Sequence, residues 1–403
     1  METGRSQAAA STVQAAVAAL PVPVARRQLR LLGALEHPSD VFRYLGPNWF
    51  ASVMGTAIVA NAAALLPVHV AGLRAVAVGV WLLAAAMLVL LAAATALHWL
   101  RFREHARRHL HDPAMAPFYG APPMALLAVG AGALLVGRDV VGLTAAVRID
   151  EALWTVGTIT GLLSAIAIPY LAFTEFKLTH GDTYGTWLMP VVPPMVSAAT
   201  GAALIAHLPA GQPRLTLLLA CYAMFGISLF ASLITITLLW GRLAFHGVGP
   251  ARLVPTLWIV LGPLGQSVTA AGLLGNAAPS ASLARYAGTL HATGVVYGVP
   301  VWGFAMVWLA IAGAITVRTA REHLPFSLTW WSFTFPVGTL VTGTSVLALA
   351  THAGFLRYAS VALYALLIAA WLTAATRTTC GALNGQLFLP SPGSAPAAID
   401  TAG

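Results

Sequence analysis

The sequence predicts an all-α membrane protein of ten transmembrane helices, arranged as five helical hairpins around a central pore, with the odd helices inside and kinked. Three observations predict it. Of 403 residues, 59% are hydrophobic and only 8% charged, which is far from the composition of a soluble domain. Ten apolar runs follow one another, each near or above the roughly 20 residues that cross a bilayer as helix. Prolines recur along the odd-numbered runs: Pro47, Pro122, Pro193, Pro263 and Pro336 stand 70 to 75 residues apart, the period of one hairpin.

The elements follow in order. Residues 1–40 are Ala-rich, with scattered arginines and no period, and read as a disordered cytoplasmic tail. The apolar stretch Ala15–Ala25 lacks the basic start of a signal peptide. The membrane domain spans 41–376, with runs at 46–66, 73–98, 119–137, 152–173, 187–208, 215–240, 255–275, 288–317, 329–351 and 356–376. Runs 2, 6 and 10 carry no proline, while runs 4 and 8 carry Pro169 and Pro300. Residues 377–403 are polar, with Pro and Gly, and read as a second disordered tail. Loops and tails on the N-terminal side hold 15 of the 21 Lys and Arg residues, and the opposite side holds 6. That bias places both termini in the cytoplasm of a cell (inner) membrane protein and calls for an even number of crossings.

Run 9, Thr329–Thr351, is the most informative. Pro336 lacks an N–H, so within a helix it strands the Ser332 carbonyl and bends the chain. Such a break is tolerated where it faces protein or water. One helical face reads Phe335, Gly338, Thr339, Thr342, Ser345. Similar small or hydroxylated faces occur at Ser52 with Thr56, Ser197 with Thr200, and Gln266 with Ser267. These residues, with Pro122, Pro193, Pro263 and Pro336 as kinks, are the expected pore lining. The competing reading is close helix packing, which small residues also serve. From the residues alone Phe335 reads equally as a core side chain or as a plug across the lumen.

Several classes fall away. The two cysteines, Cys221 and Cys380, form no framework or metal spacing, and no phosphate-binding or nucleophile motif occurs, so neither an enzyme nor a cofactor site is expected. The net charge of +9 comes from loop arginines and does not read as nucleic-acid binding. His105 and His109 stand four apart, but they lack a third ligand and are crowded by arginines. They read as a basic loop near anionic headgroups, with no metal. No Asp, Glu, Lys or Arg falls within the ten runs, which argues against a carboxylate proton relay. His291, in run 8, reads as a hydrogen-bonded packing residue. Trp49, Trp99, Trp187, Trp330 and Trp331 read as interfacial anchors.

At GPNWFASVMGTAIVA (Gly46–Ala60), WLMPVVPPMVSAATG (Trp187–Gly201), PTLWIVLGPLGQS (Pro255–Ser267) and WWSFTFP (Trp330–Pro336) the chain resembles the tellurite-resistance/dicarboxylate transporter family. That family includes malate permeases, sulfite efflux pumps, the bacterial tellurite-resistance protein and plant slow anion channels. The resemblance implies ten helices as five hairpins around a pore, a homotrimer, and a phenylalanine gate that falls on Phe335. It implies passive or weakly coupled passage of small anions, C4-dicarboxylates or sulfite first, with a chloride/nitrate channel or tellurite-type efflux as alternatives. Ala57 stands where the malate and sulfite branch carries glycine.

Overall fold

The computed structural model describes residues 32–35, 37, 39–281 and 283–389, so the expectations for 1–31 and 390–403 lie outside the described residues. Ten main helices form: α1 Phe50–Leu65, α2 Leu73–Arg101, α3 Ala121–Gly132, α4 Leu143–Thr174, α5 Pro193–Leu204, α6 Gln212–His246, α7 Leu261–Ala277, α8 Ala287–Glu322, α9 Phe335–Thr351 and α10 Gly354–Leu383. No strand occurs among the described residues. Nine segments there are long and apolar enough to cross a membrane. Run 5 is the tenth expected crossing, and it is broken. A 3-10 turn, Gly185–Leu188, precedes α5, which is only 12 residues long.

The helices sort into two layers. Packing contacts run from α1 to α3, α3 to α5, α5 to α7, α7 to α9, and α9 back to α1, which closes a ring. Each even helix packs on the odd helix before it. The even helices are long, 29 to 36 residues, and largely exposed, as suits lipid-facing elements. The odd helices are mostly buried on every side.

Tryptophans pin the layers together. Indole N–H groups donate from Trp81 on α2 to the Val129 carbonyl (3.0 Å), from Trp154 on α4 to that of Ser197 (2.9 Å), and from Trp371 on α10 to the Thr56 hydroxyl (3.1 Å). Trp308 on α8 donates to the Leu257 carbonyl at 2.9 Å. In lipid these bonds give the buried indole N–H groups partners, three of them backbone carbonyls, where no water is at hand.

The structure differs from the sequence reading in four places. α10 continues past residue 376 to Leu383, and Phe388 beyond it is buried and stacks on Trp49 at 4.8 Å between ring centroids. The chain before α1 joins it: the Leu32 N–H donates to the Leu383 carbonyl at 2.7 Å. Trp49 and Trp331 are therefore buried packing residues, with Trp331 donating to the Thr378 hydroxyl at 2.9 Å. Finally, α4 begins at Leu143 and so encloses Arg148, Asp150 and Glu151. Charged residues do occur within a membrane-crossing helix, because the helix extends nine residues before the apolar run.

Candidate functional site

All five odd helices begin in the same way. A 3-10 segment leads into each: Pro47–Trp49, Ala116–Gly120, Gly185–Leu188, Ala251–Val260 and Leu328–Phe333. The repeating prolines sit at these junctions. Pro122 is second in α3, Pro193 first in α5, Pro263 third in α7 and Pro336 second in α9, while Pro47 opens the 3-10 turn before α1. In a first turn the missing N–H has no intrahelical partner to lose. The prolines therefore start the α-helices and do not bend continuous ones. Around Pro336 the ladder resumes at once, with the Gly338 N–H donating to the Thr334 carbonyl at 2.9 Å.

Five α-helix starts thus meet at one depth. They surround a narrow void of about 10 Å³ lined by Met54, Met124, Met189, Ile259, Phe335 and Pro336. Past it lies a cavity of about 420 Å³, bounded by Ile58 and Asn61 of α1, Ala128 and Ala131 of α3, Thr200 of α5, Gln266, Thr269 and Asn276 of α7, and Phe335 and Thr342 of α9. Phe335 is the wall they share, and it is 2% exposed.

None of the residues lining either space is Asp, Glu, Lys, Arg or His. The polarity of the larger cavity comes from amides and hydroxyls. Asn61 donates Nδ2–H to the Ala128 carbonyl at 2.9 Å, and its Oδ1 has no partner. Gln266 likewise leaves Oε1 unpartnered. Thr269 and Thr342 share a hydrogen bond of 2.7 Å. At the far end the Asn276 Oδ1 meets His291 Nδ1 at 2.9 Å. His291 is hydrogen-bonded, as read from the sequence, but exposed in the first turns of α8. Neutral dipoles and helix N-terminal ends favour an anion without a deep electrostatic trap.

The structure brings four of the expected site residues to the cavity: Phe335, Thr200, Gln266 and Thr342. The others make helix contacts. Thr56 accepts from Trp371, Ser197 accepts from Thr158 at 2.9 Å, Ser52 donates to the Trp49 carbonyl, and Ser267 donates to that of Leu264. Thr339 donates to the Pro336 carbonyl at 2.7 Å, and Gly338 lies against Ile58. The amides Asn61 and Asn276 escaped the sequence reading. Their signal was polarity in an otherwise apolar helix, nearly four turns beyond the proline.

A sequence profile described as voltage-dependent anion channel matches residues 44–379, from the approach to α1 through most of α10. The chain belongs to this family. Members of the voltage-dependent anion channel family are transporters and channels, in agreement with the resemblance carried by Gly46–Ala60 and Trp330–Pro336. Among relatives, an uncharacterized transporter of Methanocaldococcus jannaschii is 26% identical over 359 residues, covering 89% of this chain and 99% of that protein. A sulfite efflux pump of Trichophyton rubrum is 27% identical over 305 residues, covering 74% of this chain and 80% of the pump. The sulfite efflux pump of Candida albicans is 24% identical over 325 residues, covering 75% and 66%.

Proposed function

We propose that this protein carries sulfite, or a small C4-dicarboxylate such as malate, through the centre of its five-helix ring, with Phe335 as the gate. The observation that carries this reading is the position of Phe335 between a cavity of about 420 Å³ and a void of about 10 Å³. A benzyl group there closes an apolar neck too narrow for a hydrated ion, and rotation about its side-chain bonds opens it. Names of relatives support sulfite ahead of malate. The lack of charged lining favours passive or weakly coupled passage, since conduction requires that the ion leave as readily as it enters. The arginine bias supports a cell membrane orientation with both termini in the cytoplasm, which puts the larger cavity on the outer side. The family resemblance supports a homotrimer, which mass measurement of the cross-linked protein tests.

The experiment is anion flux in proteoliposomes, with sulfite, malate, chloride and nitrate offered to wild type and Phe335→Ala. The expected result is a several-fold rise in flux for the variant at unchanged fold, with sulfite preferred. Equal silence of both proteins towards every anion refutes passage through this ring. Saturation with competition by malate points to a carrier, and large unitary chloride or nitrate currents point to a channel.

A further inference from the structure

Asp150 sits in the second turn of α4 and is fully buried, and neither carboxylate oxygen has a hydrogen-bond partner. It faces Gly130 of α3 so closely that a Cβ added at Gly130 would lie 2.7 Å from Asp150 Oδ1. The missing side chain at Gly130 is what lets the carboxyl group reach the backbone of a ring helix.

That turn of α3 is held from three directions. Asn61 of α1 donates to the Ala128 carbonyl, Trp81 of α2 donates to the Val129 carbonyl, and Asp150 of α4 lies against Gly130. Ala128 and Ala131 line the larger cavity. Immediately after comes a π-helical turn, Ala133–Gly137, an irregularity that recurs at functional sites and marks a local weakness of the helical ladder.

No counter-charge serves Asp150. On its own helix, Arg148 and Glu151 pair with each other at 2.8 Å. α3, the π turn and α5 contribute no titratable group. The short helix Arg138–Val141 contributes Arg138, which is exposed, and Asp139, which Arg74 holds at 2.6 Å. The 3-10 turn Ala116–Gly120 contributes only Tyr119, whose hydroxyl donates to the Ala106 carbonyl at 3.2 Å. An unpartnered carboxylate buried in this way is costly, and the neutral acid far less so.

We propose that Asp150 is a proton-binding site coupled to the anion pathway, which rests on the transport reading above. The packed ring holds Asp150 as the acid. Loss of the proton to water leaves a carboxylate that pushes α4 away from Gly130, loosens the Ala128–Gly130 turn and widens the passage. One proton leaves and no other bond changes.

The test uses the full chain in proteoliposomes, with sulfite and chloride flux measured at stepped pH for wild type and D150N, alongside infrared titration of both. Asparagine has nearly the shape of the acid and no proton to lose. Wild-type flux is expected to rise several-fold with pH. D150N is expected to stay flat at the wild type's acid level. The infrared titration is expected to show a protonated-carboxyl C=O band that fades as pH rises and is missing in D150N. A wild-type pH profile retained by folded D150N overturns the proposal. So does a wild type whose buried carboxyl band is absent above the ordinary carboxylate range, which decides the matter even if D150N fails to assemble. If neither protein moves any anion, the transport reading fails, while the infrared band still reports whether Asp150 holds a proton.

Discussion

Gly265 of α7 lies directly against the backbone of α9. A Cβ there would lie 2.5 Å from the Thr339 carbonyl carbon and 2.6 Å from the Leu340 nitrogen, both backbone atoms that cannot swing aside. Overpacking of this kind costs about 1–3 kcal/mol, so Gly265→Ala is expected to lower the melting temperature in detergent, and an unchanged melt would show that the two helices slide apart freely. Phe335 was legible as an aromatic beside a proline, and the four-stretch resemblance singled it out. Ser52, Thr56, Ser197, Ser267, Gly338 and Thr339 were legible only as small residues. Whether a small residue faces a lumen or a neighbouring helix depends on what stands opposite, and each odd helix has an outer partner, two ring neighbours and a cavity around it. All four directions call for similar residues, so no polar stripe marks the cavity.

At the scale of elements, the prolines decide where the α-helices begin. Pro336 occupies the second position of α9, where its N–H would have had no intrahelical partner. Pro336→Ala is therefore expected to change stability by less than about 1 kcal/mol, whereas relief of a kink in a continuous helix would straighten and reshape the ring. Thermal melting together with flux distinguishes the two. The short helix Arg103–Leu110 supplies a second test. Burial, followed by the nearby charge of His98, pushes the His109 pKa down to about 4. The unfolded chain, with its imidazole near the ordinary value of about 6.5, binds more protons across the interval between. Stability from this group is thus complete above about pH 6.5 and is lost as pH falls towards about 4. The melting temperature is expected to fall over that window, and His109→Gln is expected to flatten part of the decline.

At the scale of the whole molecule, the two ends of the described residues, near Leu32 and Phe388, close on each other. Phe388 stacks on Trp49 within 9° of parallel, beside the 3-10 turn that opens α1. Such a pair contributes about 0.5–1.5 kcal/mol beyond its buried area. Phe388→Ala is expected to free the segment after Leu383, seen as faster proteolysis there with little change in the global melt. Protection equal to wild type would mean that the backbone bonds around Leu32 and Leu383 hold the segment alone. The Arg74–Asp139 pair joins α2 to the end of the third crossing but is half exposed. Its loss in Arg74→Met is expected to cost no more than about 1 kcal/mol.

Composition and apolar runs were enough to establish an all-α membrane protein, and the proline period marked its inner helices, though it read as kinks in them and not as their starts. Those properties are local: lipid selects apolar length, and proline acts on its own turn. Asp150 shows what locality misses. In sequence it lies beside Arg148 and Glu151 and resembles the charged edge of a loop, yet α4 starts seven residues earlier and turns it onto Gly130. The cavity amides Asn61 and Gln266, the wall at Phe335 and the buried carboxyl were all decided by which helices stand opposite one another. Closure of the ring sets those pairings across scores of residues, and no window of sequence contains both partners.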